Sequence, residues 1–431
     1  MLKRILATCG FALVLALPHT APAEESGVLD VLTYNIAGLP EGLSSGNPSL
    51  HTPLIARRLS PYDIVHVQED FNYHAALYAG NDHPYRTPTS GGAAFGDGLN
   101  TLSHHPFSDF QRIRWNRCNG TDCLTPKGFT YMRVRLGEGV FLDLYNAHPN
   151  AGVTDADLAA RRDNIAQLSR FIQDWSAGNP VLVMMDSNTR YTRSGDNLRT
   201  LLDDNGLRDP WVELVKGTRP ALGADALLCG TPPTDDCEVV DKILYRDARN
   251  LVLVADEYRL DDPDFYDDRG RPLSDHYPVF TRFGWATVDD VRLSDLFGGP
   301  HGTPFNDLAS PHLGRPVRTL TLRGGARLDG IAVTLDNGVR LAHGGSGGSA
   351  RSLDLLPGEK LVSATLTLGQ RNGRTRVFSA DLVTSHGRRL QAGTPTGEVH
   401  TLTAPEGWHI AGFTGRAGDE IDKLGAIYMP D

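Results

Sequence analysis

The feature that most constrains this chain is a series of strand-length apolar runs, each ending in or beginning after polar residues of the kinds that do chemistry. The runs fall at 28–34, 64–68, 129–135, 140–146, 181–185, 242–245 and 277–280, and Gly, Pro, Asn or Asp bounds each of them. That pattern predicts strands. Between them, segment 155–175 places Leu158, Ile165, Leu168, Phe171 and Ile172 on one helical face behind a Thr/Asp cap, which predicts an amphipathic helix. Strands with intervening helices and long loops predict an α/β layered domain over 24–285.

The polar endings are Tyr34-Asn35, Gln68-Glu69, Asn146-Ala147-His148 and Asp186-Ser187-Asn188, and the last run follows Ser274-Asp275-His276. Singly, each has an ordinary reading: a turn cap, a surface acid, a packed loop histidine, an Asx turn. Strand ends in an α/β domain, however, converge on one rim where sites form, so the set together predicts a catalytic constellation. After Trp285 the texture changes. Over 286–431 glycine is dense, helical periodicity is almost gone, and short β-type runs at 319–322, 330–334, 361–367 and 426–428 alternate with glycine turns. A second, all-β domain is expected there.

The opening stretch has Lys3 and Arg4, an apolar run over 5–17 and Ala21-Pro22-Ala23, the pattern of a signal peptide over 1–23. Export follows as an expectation, to a secreted or periplasmic location. Beyond Cys9 the cysteines are Cys118, Cys123, Cys229 and Cys237, which allow three connectivities. In an oxidising compartment the local pairs 118–123 and 229–237 are favoured over a zinc site, because the spacings are not C-x-x-C and no histidine lies nearby. The net charge is −10, and its excess lies in the first part: residues 24–283 carry 25 basic against 37 acidic side chains, and 284–431 carry 15 against 15. No strong non-specific nucleic-acid binding is expected from that sign, although bound cations change a local field.

The segments TYNIAGLP, VQED, YNAHPNAG, VMMDSNTRY, VVDKILYR and LSDHYPVF, in that order across roughly 27–283, resemble the endonuclease/exonuclease/phosphatase superfamily of DNase I-like nucleases, inositol-phosphate phosphatases and sphingomyelinases. The resemblance implies an α/β fold in which a two-layer β-sandwich is flanked by helices, and metal-assisted hydrolysis of a phosphate ester. Such a reaction needs a cation, a base for water and donors for developing charge. The resemblance assigns Glu69 with Asn35 to Mg²⁺ (or Mn²⁺), and lets Asp275 reach a metal. It makes His276 the general base or a phosphate holder, with Asp241 orienting its imidazole. Asp186 positions water or protonates the leaving group, Asn188 holds the phosphate, and His148 stabilises charge from the other side. Two positions depart from the family pattern: Met185 stands where a glycine is usual, and Lys242 follows Asp241 where a tyrosine is usual. Both predict altered packing rather than lost chemistry. Segment 122–131 resembles the Lys-Gly-aromatic segment of sphingomyelinase-like members, in which Lys127 meets a phosphate; the alternative is a solvated loop lysine beside a disulfide.

In the second part, FGGPHGTPFND, RLDGIAVTLDNG, HGGSGG and IAGFTGRAGDEIDKLGAIY resemble a jacalin-like lectin domain. That implies a C-terminal β-prism, and a sugar site built from the early loop Gly298-Gly299 and from Gly418-Asp419-Glu420-Ile421-Asp422, where backbone N–H groups and a carboxylate form a fork for hydroxyls. Asp419 and Glu420 stand where some members carry aromatic residues. The combined expectation is a secreted Mg²⁺-dependent phosphodiesterase of the sphingomyelinase or phospholipase C type, acting on a phosphate-ester substrate. Its lectin domain would direct it to a glycan or cell-surface carbohydrate, and peripheral membrane contact is compatible with this. A DNase I-like nuclease, an inositol-phosphate phosphatase and a catalytically silent glycan-binding effector are the alternatives.

Overall fold

Strand Ser26–Asn35 sits inside a sheet and alternates its side chains between two cores: Leu29 and Val31 face one, Leu32 and Tyr34 the other. Period-2 burial on both faces is what a covered central strand requires. The computed structural model describes residues 25–44, 46–91 and 95–431, and the expected signal segment lies outside them. Ser26–Asn35 belongs to a six-stranded sheet in the order Leu251–Leu260, Val279–Thr287, Ser26–Asn35, Ile64–Gln68, Asn100–Ser103, Tyr85–Arg86. A five-stranded sheet, Phe107–Arg114, Gly128–Gly137, Val140–Ala147, Val181–Asp186, Asp241–Arg246, lies against it. Leu29, Val31 and Ile64 of the first sheet share a core with Met132, Leu144, Val183 and Leu244 of the second. Helix Pro48–Arg58 covers the outer face of the first sheet through Ile55 and Ala56. Helix Asp155–Trp175 buries Ile165, Leu168 and Ile172 in the core of the second sheet. The domain is thus an α/β two-layer sandwich flanked by helices.

Register brings the strand ends to one rim. Ser26–Asn35 runs parallel to Ile64–Gln68 with Asn35 opposite Gln68. Val140–Ala147 runs parallel to Val181–Asp186 with Ala147 opposite Met185, and Asp186 faces Asp241, the first residue of an antiparallel neighbour. A buried amide tie joins the sheets below that rim: Gln68 donates to Asn146 Oδ1 at 2.8 Å, and Asn146 Nδ2 donates to the carbonyls of Val67 and Asn100 at 3.0 and 3.1 Å. The last strand begins at Val279 rather than at the expected 277. Pro278 has no N–H to give a ladder, which delays the pairing.

Strand Arg292–Leu293 already belongs to the β-prism. One prism sheet joins it to Ile421–Pro430, Trp408–Ala417 and Thr303–Asn306, with Phe297–Gly298 also pairing Ile421–Pro430. The second orders Arg340–Gly344, Leu328–Leu335, Val317–Gly324, Ser349–Asp354, and the third Arg389–Gly393, Arg374–Thr384, Leu361–Arg371, Glu398–Thr403. Their inward residues, among them Leu320, Ile331, Leu366, Leu382, Phe413 and Leu424, form a single core. Sandwich and prism are locked together by charge. Asp295 accepts from Arg135 Nε and Nη2 at 2.9 and 2.8 Å, Lys423 Nζ donates to buried Asp109 at 2.5 Å, and the Arg416 guanidinium lies 4.7 Å above the Trp175 ring. Cys118 pairs with Cys123 and Cys229 with Cys237, the local connectivity favoured by the sequence.

Candidate active site

Asn35 ends its strand fully buried, with its Oδ1 accepting from the Ala37 amide at 3.0 Å. That fixes Nδ2 toward the rim, where Glu69 Oε1, Asp186 Oδ2 and His276 Nε2 surround it at 3.2, 3.0 and 3.4 Å. Glu69 reaches this point because its backbone takes a left-handed conformation, φ +60°, directly after strand Ile64–Gln68. A non-glycine residue in that region is strained, and such strain clusters at functional sites. Glu69 stays partly open to solvent at 21% exposure.

The segment Ser274-Asp275-His276 is fastened to the end of strand Ser26–Asn35. Ser274 Oγ donates to the Asn35 carbonyl at 2.6 Å and accepts from the His276 amide at 3.2 Å. His276 then places Nδ1 on buried Asp241, 2.9 Å from Oδ2 and 3.2 Å from Oδ1, and Nε2 3.7 Å from Asp186 Oδ2. Burial alone would lower the imidazole, but the carboxylates of Asp241 and Asp186, with Asp275 adding, raise it well above the usual histidine range. Burial pushes the Asp241 carboxyl up, against the pull of His276. For Asp186 burial acts in the same upward sense, yet His276, His148 and the bond from Asn35 outweigh it and hold the carboxyl well below its ordinary value.

His148 closes the opposite side, buried, with Nε2 3.2 Å from Asp186 Oδ2 and 4.0 Å from Glu69 Oε1. Lys127 Nζ sits 3.1 Å from the same nitrogen and 2.6 Å from Asp122 Oδ1, and is itself buried. The solvated-loop reading of Lys127 therefore fails. Asp122 lies inside the Cys118–Cys123 loop, so the disulfide braces the acid that aims the lysine. The sequence named the lysine but not this acid, whose only signal was its place between the two cysteines.

Asn35, Glu69, His148, Asp186, Asp241 and His276 thus meet. Asn188, φ +52°, touches the group through its backbone amide on Asp186 Oδ1 at 3.0 Å, while its side-chain amide donates to the Pro149 carbonyl at 3.3 Å. Asp275 is exposed beside His276. Met185 and Lys242 face each other across the ladder, both buried. Lys242 turns away from the site: its ammonium donates to the Val239 carbonyl and lies 3.8 Å from Glu238, 5.5 Å from the Trp211 ring and 5.7 Å from that of Tyr191. An oxygen-rich set with acceptors crowded around one amide nitrogen fits a hard divalent cation; ligand atoms of Asp186, Asp241 and His276 also lie within 4.8 Å of one another.

In the prism, Asp422 is buried and pairs with Arg376, and Glu420 pairs with Arg327 and, at 2.7 Å, with Arg371. Gly418 and Asp419 line the pocket at this loop. Gly298, φ +130°, pairs with Lys423, and the Gly299 amide donates to the Asp422 carbonyl at 2.8 Å, so both glycines buttress the strand that carries Asp422. A Cβ on Gly298 would stand 2.1 Å from that carbonyl oxygen.

The fold and the site together define a two-sheet α/β sandwich with an acid–base centre at its strand ends, joined to a β-prism. Residues 47–218 match the model of Endonuclease/Exonuclease/phosphatase family 2, and residues 294–427 that of the jacalin-like lectin domain. The chain belongs to the jacalin-like lectin family by its prism, and its sandwich matches the endonuclease/exonuclease/phosphatase model over the residues given. A sphingomyelinase of Mycobacterium tuberculosis is 39% identical over 277 residues, 62% of this chain and 55% of that protein, so the chain spans about half the length of that relative. Horcolin of Hordeum vulgare is 30% identical over 124 residues, 27% of this chain and 85% of that protein. Among solved structures, the beta toxin of Staphylococcus aureus overlays with a TM-score of 0.43 at 17% identity, covering 59% of this chain and 99% of its own.

Proposed function

We propose that the sandwich is a divalent-cation-dependent phosphodiesterase of the sphingomyelinase or phospholipase C type, exported from the cell, and that the prism directs it to carbohydrate. The observation that carries this reading is the meeting of Asn35, Glu69, Asp186 and His148 with a His276–Asp241 pair at one rim. The relative named a sphingomyelinase supports the lipid subclass, and the two disulfides support an oxidising compartment.

Glu69, and Asn35 once its amide turns Oδ1 to the rim, would hold Mg²⁺ or Mn²⁺. Such a cation, when bound, neutralises phosphate charge and acidifies water. The protein's own part follows from the geometry. Asp241 holds the His276 Nδ1 proton, and at pH above the raised imidazole value Nε2 is free to take a proton from attacking water, as a buried carboxylate arranges for other catalytic histidines. Asp186 stays ionised between the two imidazoles and keeps both aimed at the rim. His148 and Lys127 present donors on the far side, where charge on the phosphate is stabilised.

The test is hydrolysis by the purified protein of sphingomyelin, phosphatidylcholine, plasmid DNA and inositol phosphates, with Mg²⁺, Mn²⁺ or EDTA. Cleavage of a choline phospholipid that EDTA abolishes is the expected result. Cleavage of DNA or of inositol phosphates instead would replace the lipid subclass, and silence across the panel would overturn the reading.

A further inference from the structure

The pocket at the loop of Gly418 to Asp422 carries charge that a neutral-sugar fork does not use. It encloses about 540 Å³, with His301, Arg371, Arg374 and Arg376 on its walls beside the acidic loop. Of its three carboxylates, that of Asp419 is exposed and the other two are committed. Asp422 pairs with Arg376, and Glu420 is shared among Arg327, Arg371 and Arg376. A carboxylate engaged in this way has fewer free lone pairs for hydroxyl protons.

The guanidinium groups are not used up to the same degree. Each offers five N–H donors in a planar fork suited to oxyanions. Arg374 is exposed and makes no ion pair among the described residues. Arg376 Nε is buried without a hydrogen bond, although Glu420 Oε2 lies 3.4 Å away. Burial, and then the charges of Arg374 and Arg376, push the His301 imidazole down against the pull of Asp422. The positive field at this wall therefore belongs to the arginines. A neutral hexose finds one oxygen of Asp422 already held by Arg376, whereas an anion meets Arg374 and the exposed part of Arg376 with no pair broken.

We propose that this pocket takes a pyranose bearing an acidic group, a carboxylate, sulfate or phosphate, with Arg374 and Arg376 on the anion and Asp422 ordering Arg376. The inference rests on the carbohydrate reading of the prism. The test is calorimetric titration of the full chain with methyl mannoside, glucose, glucuronic acid, glucose 6-sulfate, mannose 6-phosphate and inorganic sulfate, at low and high salt. At least one acidic sugar should bind about tenfold more tightly than its neutral parent. The advantage should shrink with added salt, vanish in Arg374→Ala and survive in part in Arg374→Lys. Neutral sugars binding as well as acidic ones would overturn the acidic ligand and leave the prism a lectin. An Arg374→Ala protein with an unchanged preference would overturn it as well. Binding of inorganic sulfate without any sugar, or no binding by any probe, would overturn this inference together with the carbohydrate reading.

Discussion

His276 is held by both ring nitrogens, Nδ1 on Asp241 and Nε2 toward Asn35 and Asp186, and it is 19% exposed. Its replacement by alanine should cost about 10²- to 10⁴-fold in turnover, with the near-UV circular dichroism retained; turnover at the normal rate would remove His276 from the mechanism. Asp241→Asn takes away the strongest of the charges that keep the imidazole protonated. The acidic limb of the pH–rate profile should then move to lower pH while turnover falls, and a limb that stays in place would deny Asp241 its orienting role. In EDTA the same cluster links folding to pH. His276 is raised in the folded chain, so its contribution is full below its unfolded value of 6.5 and is lost as pH climbs through the higher folded value. Asp186 is held down, so its contribution is present above 3.8 and is lost as pH falls through the lower folded value. Urea titrations across pH should therefore show the wild-type advantage over His276→Ala narrowing on the alkaline side. Much of this site was legible in the sequence because Asn35, Glu69 and Asp186 end apolar runs where a core gives them no reason to be. The direction of Lys242 was not, since it depends on Trp211, Tyr191 and Glu238, which reach it from other segments.

At the level of elements, the rim depends on joints rather than on strands alone. Ser274 stitches the end of one strand to the approach of another, and Ser274→Ala would leave a buried carbonyl and a backbone amide without their partner. A loss of about 1–3 kcal/mol is expected from urea unfolding, together with slower turnover as His276 loosens; a variant of unchanged stability would mean that water takes over the joint. Helix Asp155–Trp175 was readable to the residue, because a Thr154 cap, a reciprocal bond to Asp157 and an apolar stripe all agree. Strand Leu251–Leu260 was harder to read. Val252 and Val254 face outward and are exposed, so its apolar residues gave no clean alternation. Strand Asn100–Ser103 is short and mostly polar, and only its neighbours in the sheet define it.

For the whole molecule the sequence announced two domains and two local disulfides, but not how the domains meet. Asp109 and Lys423 are 314 residues apart, and nothing in the sequence pairs them. Their contact is buried, so Lys423→Met would leave the Asp109 carboxylate with Arg416, at 3.8 Å, as its nearest cation. A loss of about 3 kcal/mol is expected. Scanning calorimetry should show the cooperative transition of the wild type splitting into separate sandwich and prism transitions. A single transition at an unchanged temperature would show that Asp295 and Trp175 suffice to hold the halves together.

That lock changes what an attached lectin can do. On a flexible leash, a glycan captured by one half only raises the local abundance of substrate for the other, by an amount that varies smoothly with linker length. Here Arg135, Arg416 and Lys423 clamp the prism to the sandwich, so the span between a sugar held at the prism and a phosphate at the rim would be a constant of the molecule. On the proposed function the protein would work as a caliper: a surface whose sugars stand at the matching height would be processed, and one with taller or shorter sugars would be gripped but left uncut.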